Sequence, residues 1–579
     1  MAANMNVPAI FKEVDQFRTC EQCGLCSSAC PITGREGYNI RRILKHVELE
    51  LTDEIANTPY AWMCTTCGRC ESVCPNGIAI LDIVRPLRAL TAPQFTPPEG
   101  PPPCVRACPG GIDIPGYLRL IAQGKPQEAC DLIMERVPLP GVLGRVCTHP
   151  CESECRRKDV NQAVSICALK RYAADQAGEP SPEVMQVAPD TGRKVAVVGS
   201  GPAGLTAAFF LRKKGHQVTI FEGREQAGGM LRYGIPAYRL PAEVLDREIG
   251  RILDLGIELK TSQRLGRDFD LDSLKKDGFD AVFLALGLQK SRRIDLPGAD
   301  LEGVLWGLDF LTAVRGGQEV SLAKRVVVIG GGNVAVDVAL TARRLGAESV
   351  TMACLESEAE MPANPWEVEM AREEGVEILP SWGPARVLDS GGRVAGLELV
   401  RCTAVFDDQG RFAPSFDQSQ TQSLEAEQII LAVGQASDLE GLAPELVDRG
   451  LIKLQDDSTQ TAWEGVFAGG DAASGPGTVI GAIAQGKRAA AEMDRFLGGD
   501  GKVEPDWSQR EEPADYEGKR EPFFADQDRV DHPALPLDQR GDFAEVELCL
   551  EEAQARLEAG RCLQCDLERS LMSRIQASM

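Results

Sequence analysis

Two stretches, CEQCGLCSSACP from Cys20 to Pro31 and CTTCGRCESVCP from Cys64 to Pro75, carry four cysteines each at one spacing, closed by a proline. Thiols this dense imply metal or disulfides, and the rest of the sequence decides between them. The opening MAANMNVPAIFKEVDQ lacks the basic stretch and apolar run of a secretory leader. The 20 cysteines are therefore expected to ligate metal in a reducing, cytoplasmic compartment. No run of about 18 apolar residues occurs, so no membrane span is expected. A net charge of −24 disfavours nucleic acid and anionic membranes. The length of 579 residues predicts three or four domains, and 58 glycines favour Gly-rich turns around nucleotides or clusters.

Iron suits the repeated phrase better than zinc, which usually pairs two closely spaced ligands with two distant ones. The spacing C-x2-C-x2-C-x3-C-P is the bacterial ferredoxin arrangement, in which the fourth cysteine of each run ligates the other cluster. One 4Fe–4S cluster then takes Cys20, Cys23, Cys26 and Cys74, and its neighbour takes Cys64, Cys67, Cys70 and Cys30. A paired zinc ribbon is the alternative. Gly24 and Gly68 keep the wrapping loops free of bulk. Between the runs, Ile40, Ile43, Leu44 and Val47 fall at helical spacing and predict a helix beneath the clusters. Residues 1–92 resemble the ferredoxin-like electron-relay subunit of heterodisulfide reductase.

The Pro-rich TAPQFTPPEGPPPC, residues 91–104, predicts an extended linker and a domain boundary. Beyond it, CVRACPGGIDIPGYL contributes Cys104 and Cys108, CTHPCESEC contributes Cys147, Cys151 and Cys155, and SICALKRYAAD adds Cys167. This block resembles the small subunit of glutamate synthase and the dihydropyrimidine dehydrogenase N-terminal region, which hold two 4Fe–4S clusters beside a flavin. Family members begin the domain with a phrase like RCLxC, which is missing at that position here. It occurs instead at the far end, as EAGRCLQCD with Cys562 and Cys565. The resemblance implies that the tail folds back to complete a cluster with Cys104 and Cys108, the alternative being a tail pair that binds zinc or nothing. The second cluster would use Cys147, Cys151, Cys155 and a fourth ligand. The family can place Gln or Glu where this chain has Lys170, so Cys167, one helical turn earlier, is the substitute, unless it is a plain buried thiol. Sixteen cysteines then serve four clusters, leaving Cys130, Cys354, Cys402 and Cys549 to packing.

The stretch RKVAVVGSGPAGLTAAFFLRKKGHQVTIFEGREQAGG reads as strand, Gly-rich turn, helix and second strand, with Gly199, Gly201 and Gly204 in G-x-G-x-x-G and Pro202 and Ala203 between them. Helix N–H groups suit a pyrophosphate, and Glu222 ends the second strand where ribose hydroxyls need an acceptor. A second copy, KRVVVIGGGNVAVDVALTARRLGAESVTMACLE, has Gly330, Gly331, Gly332, Asn333, Val334 and Ala335 in its turn and Glu356 past its second strand. The phrases GVFAGGDAASGPGTVIGAIAQGKRAA and GGMLRYGIPAYRLP closely resemble the flavin-contacting segments of the glutamate synthase family. That resemblance, over roughly 100–500, assigns FAD to the first fold and implies Asp471, Thr478, Val479, Gly229 and Leu231 as flavin contacts. It also implies that the nicotinamide domain is inserted into the FAD domain.

The expected fold is multidomain α/β, with two Rossmann-like domains preceded by two mainly α-helical iron–sulfur domains. Expected boundaries are a relay domain at 1–92, a helical cluster domain at 93–188, FAD-binding parts at 189–290 and 428–500, a nicotinamide domain at 291–427 and a cluster-completing tail at 501–579. The expected function is an iron–sulfur flavoprotein oxidoreductase moving electrons between NADH and a protein partner through FAD and about four clusters. Such a partner would be a heterodisulfide-reductase-like subunit, a ferredoxin, a hydrogenase or a formate dehydrogenase, within a hetero-oligomeric complex. The alternatives are a glutamate-synthase-type electron-input subunit and a non-catalytic scaffold. No side-chain acid, base or nucleophile is assigned, because the cofactors carry the chemistry. NADH is favoured over NADPH. The family's phrase YRRTxAEMPA places arginines where this chain, with CLESEAEMPA, has Leu355 and Glu356.

Overall fold

The computed structural model describes residues 19–97, 100–510, 512–513 and 515–577. The opening stretch MAANMNVPAIFKEVDQ, and Pro98–Glu99 of the Pro-rich stretch, lie outside the described residues. Two parallel five-stranded sheets share the order of four strands and differ at one edge, which is taken by the last strand in the first sheet and by the first strand in the second. In the first, the order is Val466–Ala468, Ala281–Leu284, Lys194–Val198, Gln217–Phe221 and Glu258–Lys260. In the second it is Val304–Trp306, Gln428–Leu431, Arg325–Ile329, Ser349–Cys354 and Val376–Pro380. The central strands KVAVV and RVVVI are apolar after their first residue because helices cover both faces.

The chain leaves the first sheet near Lys290–Ser291 and returns at Gln435–Ala436, and these two crossings pair antiparallel. The second sheet is thereby an insertion within the first. The expected boundary between 427 and 428 is corrected: Gln428–Leu431 pairs with both Val304–Trp306 and Arg325–Ile329, so the nicotinamide unit keeps this strand. A three-stranded antiparallel sheet, Trp382–Asp389, Val394–Phe406 and Phe412–Glu425, is built into the same unit.

One apolar core runs from the helices Ile114–Ala122, Pro126–Met134, Pro140–Val146 and Ile166–Gln176 into the first sheet and its helices Pro202–Lys213 and Val479–Phe496. The helical cluster unit and the FAD unit are therefore one packed body. The relay unit has its own core, where Ile40, Ile43, Leu44 and Val47 of Ile40–Glu48 are all buried and Asn39 caps the helix through the Arg42 N–H.

The tail does not trail away. Arg569 donates to the carbonyls of Pro97 and Gly100 and pins the Pro-rich stretch. Glu568 takes two 3.0 Å bonds from Arg85 of the relay unit. Residues 534–548 cross to the nicotinamide unit, where Val546 enters its core and donates its N–H to Tyr238 O at 3.0 Å.

Candidate electron-transfer site

The described cysteines fall into sets around small voids. Cys20, Cys23, Cys26 and Cys74 line one void; Cys30, Cys64, Cys67 and Cys70 line another. Each set takes its fourth thiol from the other run, because the chain is extended at Cys30, where the helix Leu25–Ala29 ends. Left-handed glycines, Gly24 at φ 84° and Gly68 at φ 77°, start the short helix after each first pair of thiols.

A third void is lined by Cys104, Cys155, Cys562 and Cys565. The tail pair does reach Cys104, but the expectation that Cys108 shares this site is corrected. Cys108 is the extended C-cap of the helix Pro103–Ala107, so the chain turns away from Cys104 there. Cys155 takes the vacated place. Cys108 instead joins Cys147, Cys151 and Cys167, the four thiols whose charge acts on the buried Lys170. Cys167 Sγ faces the carbonyls of Leu143 and Gly144 at 3.4 and 3.6 Å.

Sets of four thiols suit cubane clusters. Among the described residues, no three His, Cys, Asp or Glu side chains converge tightly enough to hold a single ion. Burial pushes the Cys30 and Cys565 thiols up to about 11, so the free sites hold protons that metal would displace. The remaining cysteines, Cys130, Cys354, Cys402 and Cys549, lie outside these sets, the first three fully buried.

A cavity of about 600 Å³ opens at the first Gly-rich turn. Gly199, Gly201, Pro202, Ala203, Glu222, Gly229, Leu231, Asp471, Thr478 and Val479 all line it. Gly204 stands behind, where a Cβ would run into the Gly199 carbonyl. A Cβ at Gly201 would meet nothing within 4 Å, which leaves the room a pyrophosphate needs in front of the helix Pro202–Lys213. Glu222 accepts the Ser200 hydroxyl and the N–H groups of Ser200 and Arg224, at 3.1 and 2.8 Å, which fixes its carboxylate at the strand end. Thr478 caps Val479–Phe496 by accepting the Gly481 N–H at 3.1 Å. Burial raises the Asp471 carboxyl above its ordinary value. No cysteine is among the residues lining this cavity.

At the second turn, Gly332 likewise leaves space within 4 Å. Asn333 Oδ1 accepts the Asn364 N–H at 2.8 Å, and Ala335 packs under Gly330. Glu356 overhangs the turn: its Oε2 lies 2.7 Å from where a Gly331 Cβ would stand. Val334 reaches the flavin cavity, so the two turns face one space.

Sequence reasoning missed the seams. Next to the flavin cavity, Lys487 donates to Gly110 O at 2.6 Å, and a Cβ at Gly110 would come 2.8 Å from Ile480. The Cys108 loop thus lies directly on the helix whose start lines the cavity. At the other end, Cys67 and Cys565 share one apolar cluster with Leu563, Phe524, Ala525 and Val160. Arg156 clamps that seam, donating at 3.0 Å to each of the Trp62, Met63 and Cys64 carbonyls. Arg157, fully buried, donates to Phe524 O at 2.8 Å.

Comparison with known proteins agrees with this architecture. Residues 193–486 match the pyridine nucleotide-disulphide oxidoreductase family, 100–181 the 4Fe-4S cluster domain II of dihydropyrimidine dehydrogenase, and 16–78 a 4Fe-4S dicluster domain. The chain is 34% identical to the NADPH-Fe(3+) oxidoreductase subunit beta of Geobacter sulfurreducens, covering 97% of this chain and 91% of the relative. It is 37% identical to the glutamate synthase [NADPH] small chain of Escherichia coli over 69% of this chain and 89% of the relative. It is 36% identical to the NAD-dependent dihydropyrimidine dehydrogenase subunit PreT of Escherichia coli over 69% and 91%.

Proposed function

The chain belongs to the pyridine nucleotide-disulphide oxidoreductase family as an iron–sulfur flavoprotein, and on that premise we propose that it exchanges electrons between NADH and a protein partner. The observation that carries the reading is the unbroken succession of seams. The flavin cavity abuts the Cys108 loop, Cys108 acts with Cys147 and Cys151 on the buried Lys170, Cys104 stands four residues before Cys108 and its set adjoins Cys67, and the Cys67 set exchanges ligands with the run holding Cys20.

Bound FAD would accept hydride and release single electrons, and clusters would carry those electrons one at a time. The chain's own residues hold these groups in order. Gly201 and Gly332 admit phosphates, the helices behind them present N–H donors, and Glu222 offers an acceptor for ribose hydroxyls. With no thiol lining the flavin cavity, the described residues offer the Cys108 loop as the route onward.

NADH rather than NADPH is the reading Glu356 supports. Its carboxylate over the second turn accepts from free ribose hydroxyls and repels a 2′-phosphate. Relatives named for NADPH and for NAD both occur, so the residues of this chain decide its preference. The relatives named as subunits support a multi-subunit setting for this chain, with the partner meeting the relay unit beside the exposed Cys23. Anaerobic reduction of a viologen dye by NADH and by NADPH tests the reading. A higher kcat/KM for NADPH overturns the nucleotide assignment, and no dye reduction by either overturns the enzyme reading.

A further inference from the structure

Lys170 lies in the helix Ile166–Gln176 and is 4% exposed. Other buried cations of this chain have oxygen partners. Lys487 has Gly110 O and Glu504; Arg171 has Asp175 and Glu545; Arg561 has Glu558 at 2.6 Å. Among the described residues, no carboxylate pairs with Lys170 and no carbonyl accepts from it. The nearby carboxylate, Glu152, is already engaged: Oε1 accepts the Cys167 N–H and Oε2 accepts Arg529, each at 2.9 Å.

What surrounds the ammonium is sulfur. Cys167 stands one turn before it on the same helix, and Cys147, Cys151 and Cys108 are the other thiols close enough to act on its charge. A buried cation without an oxygen partner is costly unless a negative charge forms beside it. Four thiolates around iron supply one, and each reduction adds another electron to it.

We propose that Lys170 is the fixed counter-charge of the cluster held by Cys108, Cys147, Cys151 and Cys167, raising its reduction potential so that the electron leaving the flavin side is captured there. The proposal rests on reading those four thiols as a cluster set. A cation in the same low-dielectric pocket favours the reduced, more negative form. Placed against the helix Val479–Phe496, this set is the first beyond the flavin cavity, so its potential governs how readily two electrons arriving as hydride are parted into single ones.

The full-length protein, purified anaerobically with its clusters, is compared as wild type, Lys170→Met and Lys170→Arg by iron content and by potentiometric titration followed by electron paramagnetic resonance. Removing the charge should shift one cluster's reduced-to-oxidised ratio at a given potential by tenfold or more toward oxidised, a lowering of about 59 mV or more for one electron. The Arg variant should stay within about threefold of wild type. Loss of one cluster's iron in the Met variant alone also supports the proposal, because the charge is then needed to hold the cluster at all. A Met variant that titrates like wild type overturns it, as does an Arg variant shifted as far as Met. Iron loss in both variants overturns it too, by making the lysine nitrogen a ligand or a packing element. A Cys108→Ser variant that keeps all its iron would instead remove the underlying cluster reading.

Discussion

Arg239→Met removes one cation from the seam between the FAD and nicotinamide units. Arg239 lies near the end of the phrase GGMLRYGIPAYRLP. Its Nη1 lies 2.9 Å from both oxygens of Asp337, on the helix Asn333–Arg344, and its Nη2 lies 2.6 Å from Glu367. Both acids are buried, at 6% and 3% exposure, and desolvation raises both pKa values, with Arg239 the leading influence pulling them down. Methionine keeps the bulk and strands two carboxylates. Breaking a buried pair in this way costs about 3–5 kcal/mol. The stranded acids rise further above their unfolded values of 3.8 and 4.5, so the folded form holds protons the unfolded chain has released, and stability is lost as pH rises. The loss should appear as local opening of the helix Asn333–Arg344. At about 1.4 kcal/mol per tenfold, its slowest amides should exchange roughly two to three and a half powers of ten faster at pH 7, with a smaller defect near pH 5. Hydrogen–deuterium exchange with mass spectrometry reads this directly. Adding Asp337→Asn and Glu367→Gln to Arg239→Met should restore most of the protection. Exchange within about threefold of wild type at pH 7, or no recovery in the triple variant, would refute the reasoning.

Three further outcomes are expected. Wild type should hold ~16 irons; Cys155→Ser and the pair Cys562→Ala/Cys565→Ala should each fall to ~12 and fall no further when combined, whereas Cys108→Ser with the tail pair should reach ~8, and a combined Cys155 and tail variant at ~8 would restore the uncrossed arrangement. Leu355→Arg with Glu356→Arg should raise the NADPH-to-NADH ratio of kcat/KM by about tenfold or more, checked by steady-state kinetics, and an unchanged ratio would place the discrimination elsewhere. Burial pushes Glu248 up to about 7 although it accepts the N–H groups of Gly141 and Val142; the folded form therefore keeps a proton that the unfolded chain loses at 4.5, and its stability contribution falls as pH rises from 4.5 to about 7, a slope that Glu248→Gln should flatten in thermal melts.

Much of this architecture is legible where local chemistry is strict. A Gly-rich turn between an apolar strand and a helix has one common use, and both copies fold that way at Gly199 and Gly330. The crossing of Cys30 and Cys74 follows from a spacing that cannot wrap four ligands around one cluster. The same grammar is present but disguised at the third site. Cys562, Cys565, Cys104 and Cys108, followed by Pro109, make one ferredoxin-like run split between two distant parts of the chain, and its final Cys-Pro crosses over as the others do. Because the run is discontinuous, spacing alone did not announce the swap with Cys155. Other features are silent for a different reason. Arg156 and Arg239 act through partners far away in sequence, as Lys170 does for all its thiols but Cys167, and the Gln428–Leu431 strand has no local mark of the sheet it joins.

The apolar cluster that Cys67 and Cys565 share also imposes an order in time. The first two thiol sets are complete once the relay unit has left the ribosome, but Cys565, which packs against the apolar cluster holding Cys67, emerges only after the entire flavin and nicotinamide units have been made. At synthesis rates of about 5–20 residues per second, that interval is roughly 25–100 s. Throughout it, iron can enter the early sets while nothing connects them to a source of electrons. On the proposed route, a nascent or truncated chain would hold iron in its relay unit without a connection to the flavin, and closure of the tail would complete the circuit.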